Sequence, residues 1–387
     1  MGAILLSGTL VAAAQVADAP GFSVWDCFPE LAGFTDPPPL TSRFPTESEQ
    51  TRGAIYAWPS YGATMLPLTE LIRNSVQQDG YETTVMVTAA SRSTAESTLR
   101  NRAFDDDMIS RITWFILPLN SIWIRDFGPE VLITPDGTLQ FLDMATTGPT
   151  AACPPSPDSM WSDEVSPTRL APSFLGGVDV FRPMLRAEGG NLQTDGQGTC
   201  VHMQRDILQA NNFTSGGIYW QYAQEDLDNV ITSFYNCSRI ITLESLGLDP
   251  GPATIGQRFV IDHVDTFMSF VSRQTVIVAR LDPEDAAVDP DNAAILERNA
   301  QTLSDAGYNV VRIPQPARYC TGSPLPQEVK DRINRQEAEA LTTFQTTLDN
   351  ELGPGAVTVV PVASDDMIPC QGSIHSISMT YGPSTTP

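Results

Sequence analysis

Positive charge is scarce in this sequence. Its 387 residues include 22 lysines and arginines against 46 aspartates and glutamates, Lys330 is the sole lysine, and the formal net charge is −24. A surface of that sign repels nucleic acid and anionic membranes. The composition therefore excludes binding to nucleic acid or to a membrane surface as a leading function, and it favours cationic partners. The 41% of hydrophobic residues are enough to build a packed core.

Closely spaced cysteine pairs are absent as well. The six cysteines stand at positions 27, 153, 200, 237, 320 and 370 and form no CxxC pair. This spacing argues against a zinc ribbon or a dithiol redox site. An even number of cysteines in a secreted chain predicts disulfides, with fifteen connectivities if all six pair.

The N-terminus carries the only segment that resembles a targeting signal. Residues 3–17, "AILLSGTLVAAAQVA", form an apolar run followed by small residues, although no Lys or Arg precedes them. The run is too short to span a bilayer. We expect a secretory leader over residues 1–19, with a buried strand or helix as the alternative, and a secreted glycoprotein with acceptors at Asn212 and Asn236.

The remainder, residues 20–387, contains no low-complexity linker and alternates β-branched runs with helical patterns, which predicts one α/β domain. The predicted strands are 83–88, 112–117, 275–281 and 357–362, and two more joined by a Pro-Asp-Gly turn within 130–144. Helices are predicted over 292–306, ending at Gly307, and over 327–350. Residues 148–176, rich in Pro and Ser, are predicted to form an irregular loop rather than a domain boundary.

Histidine is rare, and one of the three lies in a suggestive motif, "IDHVD" at 261–265. On a strand, His263 and Asp265 would point to one face and Val264 would be buried on the other. That arrangement places an imidazole beside a carboxylate. The alternative is a hydrogen-bonded structural histidine.

A second motif, "SIWIRDFGPE" at 121–130, ends an apolar run. At the end of a strand, Asp126 would face a pocket, Trp123 would supply a flat apolar wall, and Arg125 would be a second polar contact. The alternative is an ordinary ion pair between Arg125 and Asp126.

A third motif, "RAEGGNLQTDGQGT" at 186–199, places Glu188 before two glycines and Asn191. The glycines permit close backbone approach to a ligand, and they equally permit a hairpin. Together the motifs supply three carboxylates and an imidazole. Such a set suits a planar guanidinium, which pairs bidentately with carboxylates, and a divalent metal is the rival ligand.

These segments and a fourth, "GSIHS" at 372–376, occur in the order and rough spacing of the guanidine-modifying deiminases. The chain resembles the branch of agmatine deiminases and bacterial-type peptidylarginine deiminases over roughly residues 50 to 382. The resemblance implies an α/β fold, a five-bladed α/β propeller (pentein) with a pseudo-fivefold repeat of ββαβ-type units. It also implies a site in which Asp126 and Asp265 clamp the guanidinium, His263 moves protons, and no cofactor or metal is needed.

The resemblance further implies a cysteine nucleophile directly after the Ile-His of the fourth motif, where this sequence has Ser376. A serine hydroxyl needs a dedicated base to attack, whereas a thiol ionises near pH 8.5. The chain is therefore expected to bind its substrate with little turnover. Either Ser376 is a deliberate Cys→Ser change, which the seven-cysteine count of the restored chain favours, or the protein is a natural pseudoenzyme.

Two segments depart from the family pattern: the first bears on the choice of substrate, and the second keeps the pseudoenzyme alternative open. "FLDMATTGPTAACPPSP" replaces the Phe-Asn-Ala-Trp-Gly segment usual in agmatine deiminases, and region 310–336 lacks a plain Tyr-Thr-Asn element. With secretion, the first departure favours arginine-containing peptides or proteins, converted to citrulline with release of ammonia. Agmatine or free arginine is the near alternative.

Three hypotheses from other classes of protein are also compatible with these motifs. A metal hydrolase would use the same carboxylates and His263 as ligands and would respond to chelators. A serine hydrolase built on Ser376 lacks a G-x-S-x-G elbow and a well-placed acid. A non-enzymatic arginine-binding module would use the site for binding alone.

Overall fold

The computed structural model describes residues 34–59, 66–145, 162–203, 211–213, 220–246, 263–317, 326–362 and 375–383. Fifteen strands lie in these ranges, in chain order β1 Thr51–Trp58, β2 Glu82–Val87, β3 Ile112–Ile116, β4 Glu130–Ile133, β5 Leu139–Leu142, β6 Asp179–Phe181, β7 Gln193–Thr194, β8 Thr199–Met203, β9 Asn212–Phe213, β10 Trp220–Gln221, β11 Arg239–Leu243, β12 Met268–Phe270, β13 Thr275–Leu281, β14 Asn309–Gln315 and β15 Met379–Pro383.

The same ranges contain nine α-helices, several of them only one turn long. In chain order they are α1 Leu66–Val76, α2 Arg92–Asn101, α3 Asp106–Ser110, α4 Ile124–Phe127, α5 Ser166–Leu170, α6 Gln224–Tyr235, α7 Pro283–Val288, α8 Pro290–Asp305 and α9 Gln327–Leu352. None of the helices in the described ranges is long and apolar enough to cross a membrane.

The described strands form small separate sheets with a recurring pattern. Their orders are β15-β1-β2-β3, β4-β5-β6, β11-β8-β7, β12-β13-β14 and the pair β9-β10. In the four larger sheets a central strand (β1, β5, β8 or β13) has an antiparallel neighbour on one side and a parallel one on the other. A helix lies between the central strand and its parallel neighbour in sequence, so three of these sheets have a ββαβ order, while in the fourth β15 takes the place of the first strand and β3 adds a further parallel strand.

This fourth sheet is closed across the two ends of the chain. β15 pairs antiparallel with β1 in the register Thr51 to Pro383 and Ile55 to Met379. Because of this pairing, the segment before β1 and the fourth sequence motif, just before β15, lie in the same part of the fold.

The hydrophobic cores follow from the periodicity of the strands and helices. Along β1, Ala54, Tyr56 and Trp58 pack into one buried cluster with α1, while Ile55 and Ala57 pack into another on the opposite face. A strand that is buried on both faces reads as a continuous apolar run, as this one does. The sheets are therefore held between layers of side chains and offer rigid supports for the turns at their ends.

The predicted helix 292–306 is confirmed as α8, which begins two residues earlier, at Pro290. The Asp289 side chain accepts a hydrogen bond from the backbone N–H of Asn292, and Pro290 occupies the first turn, as expected at a helix N-terminus. Gly307 follows the helix with φ +100°, a left-handed conformation that glycine adopts at little cost. The predicted helix 327–350 is confirmed as α9.

Most strand predictions are confirmed, and one is wrong. β2, β3 and β13 lie where 83–88, 112–117 and 275–281 were predicted, and β4 and β5 form the predicted hairpin. Residues 357–362 form no strand. Their backbone bonds instead to a side chain of α9, since Gln345 Nε2 donates to the carbonyl of Val357 and Gln345 Oε1 accepts from Val359 N–H.

The structure describes the two segments in which the sequence departs from the family pattern only in part. Of the predicted loop 148–176, residues 162–176 contain α5 and a 3-10 turn, and the rest lies outside the described residues. β14, which begins at Asn309, extends to Gln315 in region 310–336 and pairs in parallel with β13. The predicted leader over 1–19 also lies outside the described residues.

A disulfide joins Cys200 in β8 to Cys237 after α6, with the two Cα atoms 5.8 Å apart. Its position bears on the second glycosylation sequon, Asn236-Cys237-Ser238. Asn236 has φ +53° and its Nδ2 donates to the carbonyls of Pro39 and Ser42. Asn236 is half-buried and its amide is hydrogen-bonded to the segment before β1, and a glycan at Asn236 stays a prediction. The side chain of Asn212 lies outside the described residues.

Candidate active site

All four sequence motifs lie on short turns that pack against one another. They are α4, the 3-10 turns Gly189–Asn191 and Val264–Thr266, and the 3-10 turn His375–Ile377. α4 contacts both the first and the last of these 3-10 turns, and the first contacts the second. We call this group the four-turn cluster. It gathers side chains from positions 123 to 376 into one region, as the sequence motifs require if they form one site.

The local conformation of the motifs differs from the prediction. His263 and Asp265 were expected on a strand, yet His263 has extended backbone and Val264–Thr266 form a 3-10 turn. The turn is closed by hydrogen bonds from Thr266 N–H to His263 O and from Phe267 N–H to Val264 O. Asp126 likewise lies on a one-turn helix rather than at a strand end. Val264 is buried, as expected.

The glycines of the third motif are required by close packing. A Cβ atom on Gly190 would lie 2.6 Å from His263 Nδ1 and 2.9 Å from Asp265 Oδ2. A Cβ on Gly189 would lie 2.5 Å from the carbonyl oxygen of Arg125. Only a residue without a side chain permits these approaches. Since both His263 and Asp265 lie against Gly190, they face the same place despite the turn between them.

One group of interacting side chains consists of His263, Glu188 and Asp126. His263 Nε2 lies 2.5 Å from Glu188 Oε2, and His263 Nδ1 lies 3.7 Å from Asp126 Oδ1. Asp126 Oδ1 is inaccessible to solvent and has no hydrogen-bond partner. A buried carboxylate oxygen without a donor is unfavourable, so this atom is suited to receive a donor from a ligand.

A second group links His375, Asp265 and Glu47. His375 Nδ1 lies 2.5 Å from Asp265 Oδ2, and His375 Nε2 lies 2.7 Å from Glu47 Oε2. The other oxygen of Glu47 lies 2.6 Å from the guanidinium of Arg125. Arg125 is buried, and its guanidinium also approaches the sulfur of Met379 at 3.5 Å. The two groups meet at Gly190, where Asp265 adjoins His263.

The electrostatic balance of the site follows from burial and mutual charge. Burial raises the pKa of Asp126 to about 7, and Glu188 and Asp265 add to this while His263 opposes it. Burial alone would lower the pKa of His263, but the hydrogen bond with Glu188 and the charge of Asp126 raise it to about 9. At neutral pH His263 is therefore protonated, and the Asp126 carboxyl group beside it is close to its titration point.

The pKa of Asp126 predicts a pH dependence of cation binding. A guanidinium pairs with the ionised carboxylate, so the affinity should rise with pH up to about 7 and level off above it. From pH 5 to pH 6 the dissociation constant should fall by close to tenfold. Titration calorimetry with a blocked arginine from pH 5 to 8 measures this, and an affinity that is flat or falls with pH would contradict it.

The other predicted residues take different positions. Ser376 lies on the turn next to His375 within the four-turn cluster. Trp123 is half-buried beside the core under α1 and α2. Asn191 is buried, with Oδ1 accepting from Met203 N–H and Nδ2 donating to Met203 O. Arg125 pairs with Glu47 rather than with Asp126. The contacts of Trp123, Arg125 and Asn191 with a substrate stay predictions.

Three residues of the site were not predicted from the sequence. His375 is in the fourth motif, in which only the next residue, Ser376, was predicted to belong to the site. Glu130 is the last residue of the second motif. Burial raises the pKa of Glu130 to about 8, although Arg125 opposes the shift. Glu47 precedes β1 in "FPTESEQ" and is 328 positions from His375. Nothing in its local sequence distinguishes it from its neighbours Glu49 and Asp36.

The site also satisfies the distance condition for a metal. Asp126, Glu188 and His263 each offer one ligand atom, and these atoms lie within 4.8 Å of one another. Ligation requires a neutral imidazole nitrogen. Because the pKa of His263 is raised to about 9, a metal would have to displace a bound proton.

Comparisons with known proteins give consistent results. A protein of Shewanella frigidimarina (strain NCIMB 400) with the provisional name agmatine deiminase is 23% identical over 252 residues, 61% of this chain and 63% of that protein. A structure provisionally named an arginine deiminase, from Porphyromonas gingivalis, has a TM-score of 0.63 at 21% identity and covers 88% of this chain and 98% of its own. A cysteine-to-serine variant of C. jejuni agmatine deiminase, solved with substrate bound, has a TM-score of 0.61 at 14% identity and covers 88% and 97%.

The structural similarities establish a mixed α/β fold of the kind found in these deiminases. The sequence profile of the Porphyromonas-type peptidyl-arginine deiminase family matches residues 43–381, a range that includes Glu47 and all four motifs. The chain therefore belongs to this family of guanidine-modifying (pentein) hydrolases, which act on guanidino carbon–nitrogen bonds.

Proposed function

We propose that the four-turn cluster binds the guanidinium group of an arginine side chain, and that the site is of the arginine deiminase type. The observation that carries the proposal is the meeting of the four turns, which brings Asp126, Glu188, His263 and Asp265 together beside Ser376. Asp126 Oδ1 is buried and accepts no hydrogen bond, and a guanidinium offers five N–H donors in a planar array. Asp126, in the group around His263, and Asp265, in the group around His375, would both bind the cation.

In the complete reaction, the nucleophile following His375 attacks the central guanidinium carbon. The carbon–nitrogen bond then breaks, and the leaving amine takes a proton from His263 and departs as ammonia. Water next hydrolyses the covalent adduct to the ureido product. With Ser376 in place of a thiol, we propose that this chain completes the binding step and turns over slowly or not at all. Whether the serine is engineered or natural does not change this expectation.

A serine at such a site is compatible with binding in a related fold. The C. jejuni agmatine deiminase structure is of a cysteine-to-serine variant and contains substrate. We propose the same capacity for this chain, which would then act as an arginine-binding protein until a thiol is supplied.

For the substrate, we propose peptidyl-arginine, with agmatine as the near alternative. Among the described residues of the cluster, the one arginine is Arg125, which is buried and paired with Glu47. Arg125 is therefore not free to receive an α-carboxylate, and the protonated imidazoles of His263 and His375 already face carboxylates of the site, which disfavours free arginine. Agmatine and a blocked arginine both lack that carboxylate. The name of the Shewanella relative supports agmatine equally, and the family description supports peptidyl-arginine.

We propose further that the ββαβ units are blades of a five-bladed propeller with the four-turn cluster near its centre, and that the chain is secreted after removal of a leader at 1–19. The four larger sheets support the first point. The apolar N-terminal run and the Cys200–Cys237 disulfide support the second.

The proposal is tested by calorimetry on the chain as it stands, with N-acetyl-arginine amide, agmatine, free arginine and N-acetyl-citrulline amide. We expect the arginine amide or agmatine to bind at least about 100-fold more tightly than the citrulline amide, because only a cation forms charge-assisted bonds to the carboxylates. EDTA should leave the affinity unchanged. Equal binding of the arginine and citrulline amides would contradict guanidinium recognition, and loss of binding in EDTA would favour the metal site.

A further inference from the structure

Glu47 lies in a tight turn that packs against the loop between β7 and β8. The backbone N–H of Glu49 donates to the carbonyl of Thr46 and closes a turn with Glu47 inside it. Thr46 is buried, and its backbone nitrogen lies close to Gly196 in the loop between β7 and β8. Gly196 has φ +71°, so the supporting loop is itself fixed in a conformation suited to glycine.

The carboxylate of Glu47 uses its two oxygens for different partners. One lies 2.6 Å from Arg125 and the other 2.7 Å from His375 Nε2. Arg125 also lies in the field of Glu130, Asp265 and Asp126. A counter-ion for Arg125 alone would not require the contact with the imidazole. The position of Glu47 is therefore better explained by what it does to His375.

His375 lies between two carboxylates, with Nδ1 at Asp265 and Nε2 at Glu47. Carboxylate oxygens only accept, so both ring nitrogens must carry hydrogen for both contacts to form. Burial and the charge of Arg125 lower the pKa of His375, but Glu47 and Asp265 outweigh them and raise it to about 9. Glu47 thus secures the doubly protonated ring and fixes its orientation.

We propose that Glu47 and His375 are positioning residues that act through Asp265: Glu47 orients the imidazole of His375, and Nδ1–H of His375 holds the carboxylate of Asp265 in the plane needed to grip a guanidinium. The proposal rests on the proposed function, since it assigns Asp265 to the guanidinium. Through Glu47 and His375, the segment before β1 and the fourth motif would together support Asp265. Neither residue is required to touch the substrate.

Chemistry-matched variants of His375 separate this role from simple packing. In His375→Asn the side-chain amide can replace Nδ1–H as the donor to Asp265, whereas in His375→Gln it reaches toward the position of Nε2. The proposal predicts that His375→Asn keeps the affinity for N-acetyl-arginine amide within about threefold, while His375→Gln weakens it about tenfold or more. A packing role predicts similar losses in both.

The direct readout is the titration of His375 by NMR, which the presence of three histidines in the chain makes simple to assign. With ¹³C-histidine label, Glu47→Gln is expected to lower the pKa of His375 by at least one unit and to weaken binding of N-acetyl-arginine amide about tenfold. Glu49→Gln is the matched control. Glu49 is two residues away and pairs with Arg43 through both oxygens at 2.6 Å, so this variant should leave both quantities unchanged.

The outcomes distinguish the two proposals. If Glu47→Gln is folded and leaves the titration of His375 and the affinity as they are in the unchanged chain, the positioning role is wrong. If Glu47→Gln does not fold, the comparison of His375→Asn with His375→Gln decides instead, and equal affinities in those two variants overturn the role. If the unchanged chain binds no arginine derivative at all, the proposed function fails, whereas the titration of His375 still tests its link to Glu47.

Discussion

Replacing Ser376 with cysteine is expected to make the protein release ammonia from N-acetyl-arginine amide or agmatine and leave a ureido product. The expected gain over the serine form is on the order of a thousandfold or more, because removal of a nucleophile from an assembled site has effects of that size. The surroundings favour a thiolate, since His375 precedes the residue and the pKa values of His375 and His263 are both raised to about 9. Neighbouring cations lower a thiol pKa.

The control for this experiment is Ser378→Cys. Ser378 lies two residues further along, directly after the turn His375–Ile377, and its N–H donates to the carbonyl of His375. A thiol at position 378 has nearly the same sequence neighbours as one at position 376. It lies after the turn, however, whereas residue 376 lies within it. Ammonia assay and mass spectrometry of the product provide the readout. A folded Ser376→Cys protein that is inert toward the peptide, agmatine and free arginine alike would show that the deiminase assignment is wrong for this chain.

Asp126→Asn is expected to weaken binding of N-acetyl-arginine amide about 100-fold or more at pH 8. The substitution removes the charge that pairs with the guanidinium and replaces one acceptor oxygen by a donor, so the loss should resemble that of a buried charge-assisted pair, about 3 kcal/mol. The measurement is calorimetric titration of the unchanged chain and the variant under the same conditions.

The same substitution should not reduce stability. The pKa of Asp126 is raised from 3.8 to about 7 in the folded protein. At a pH between these two values, the folded state keeps a proton on Asp126 that the unfolded state has lost. The unliganded protein therefore loses stability as the pH rises from about 4 to about 7. Asparagine has no such ionisation, and the melting temperature of Asp126→Asn at pH 8 should equal or exceed that of the unchanged chain.

Asp79→Asn is the matched control, since its carboxylate is fully exposed and lies 3.7 Å from Arg111 on the surface. It should change neither affinity nor melting temperature. If Asp126→Asn binds the arginine amide as tightly as the control does, Asp126 is not part of a cation clamp.

The parts of the fold with strong periodicity could be predicted from the sequence. α8 and α9 have a sustained helical pattern with clear ends, and β4 and β5 are joined by an explicit turn sequence. Residues 357–362 have the composition of a strand and still form none, because the Gln345 side chain bonds to their backbone groups. Composition indicates a preference for a strand, but it does not supply a partner strand.

The sequence predicted which residues form the candidate site better than it predicted their conformation. The motifs name Asp126, Glu188, His263 and Asp265, and these do come together. Their one-turn conformations depend on packing between segments distant in sequence, which a strand pattern cannot anticipate. Glu47 was missed for the same reason, since both of its partners come from remote parts of the chain. Asn191 makes hydrogen bonds to the backbone of Met203, and its predicted contact with a substrate stays a prediction.

The most direct test of the account is a crystal structure of the chain as it stands with N-acetyl-arginine amide bound. The account predicts that the guanidinium contacts the carboxylates of Asp126 and Asp265, with its central carbon facing the Ser376 hydroxyl. A ligand bound elsewhere, or a metal ion held by Asp126, Glu188 and His263 in its place, would contradict it.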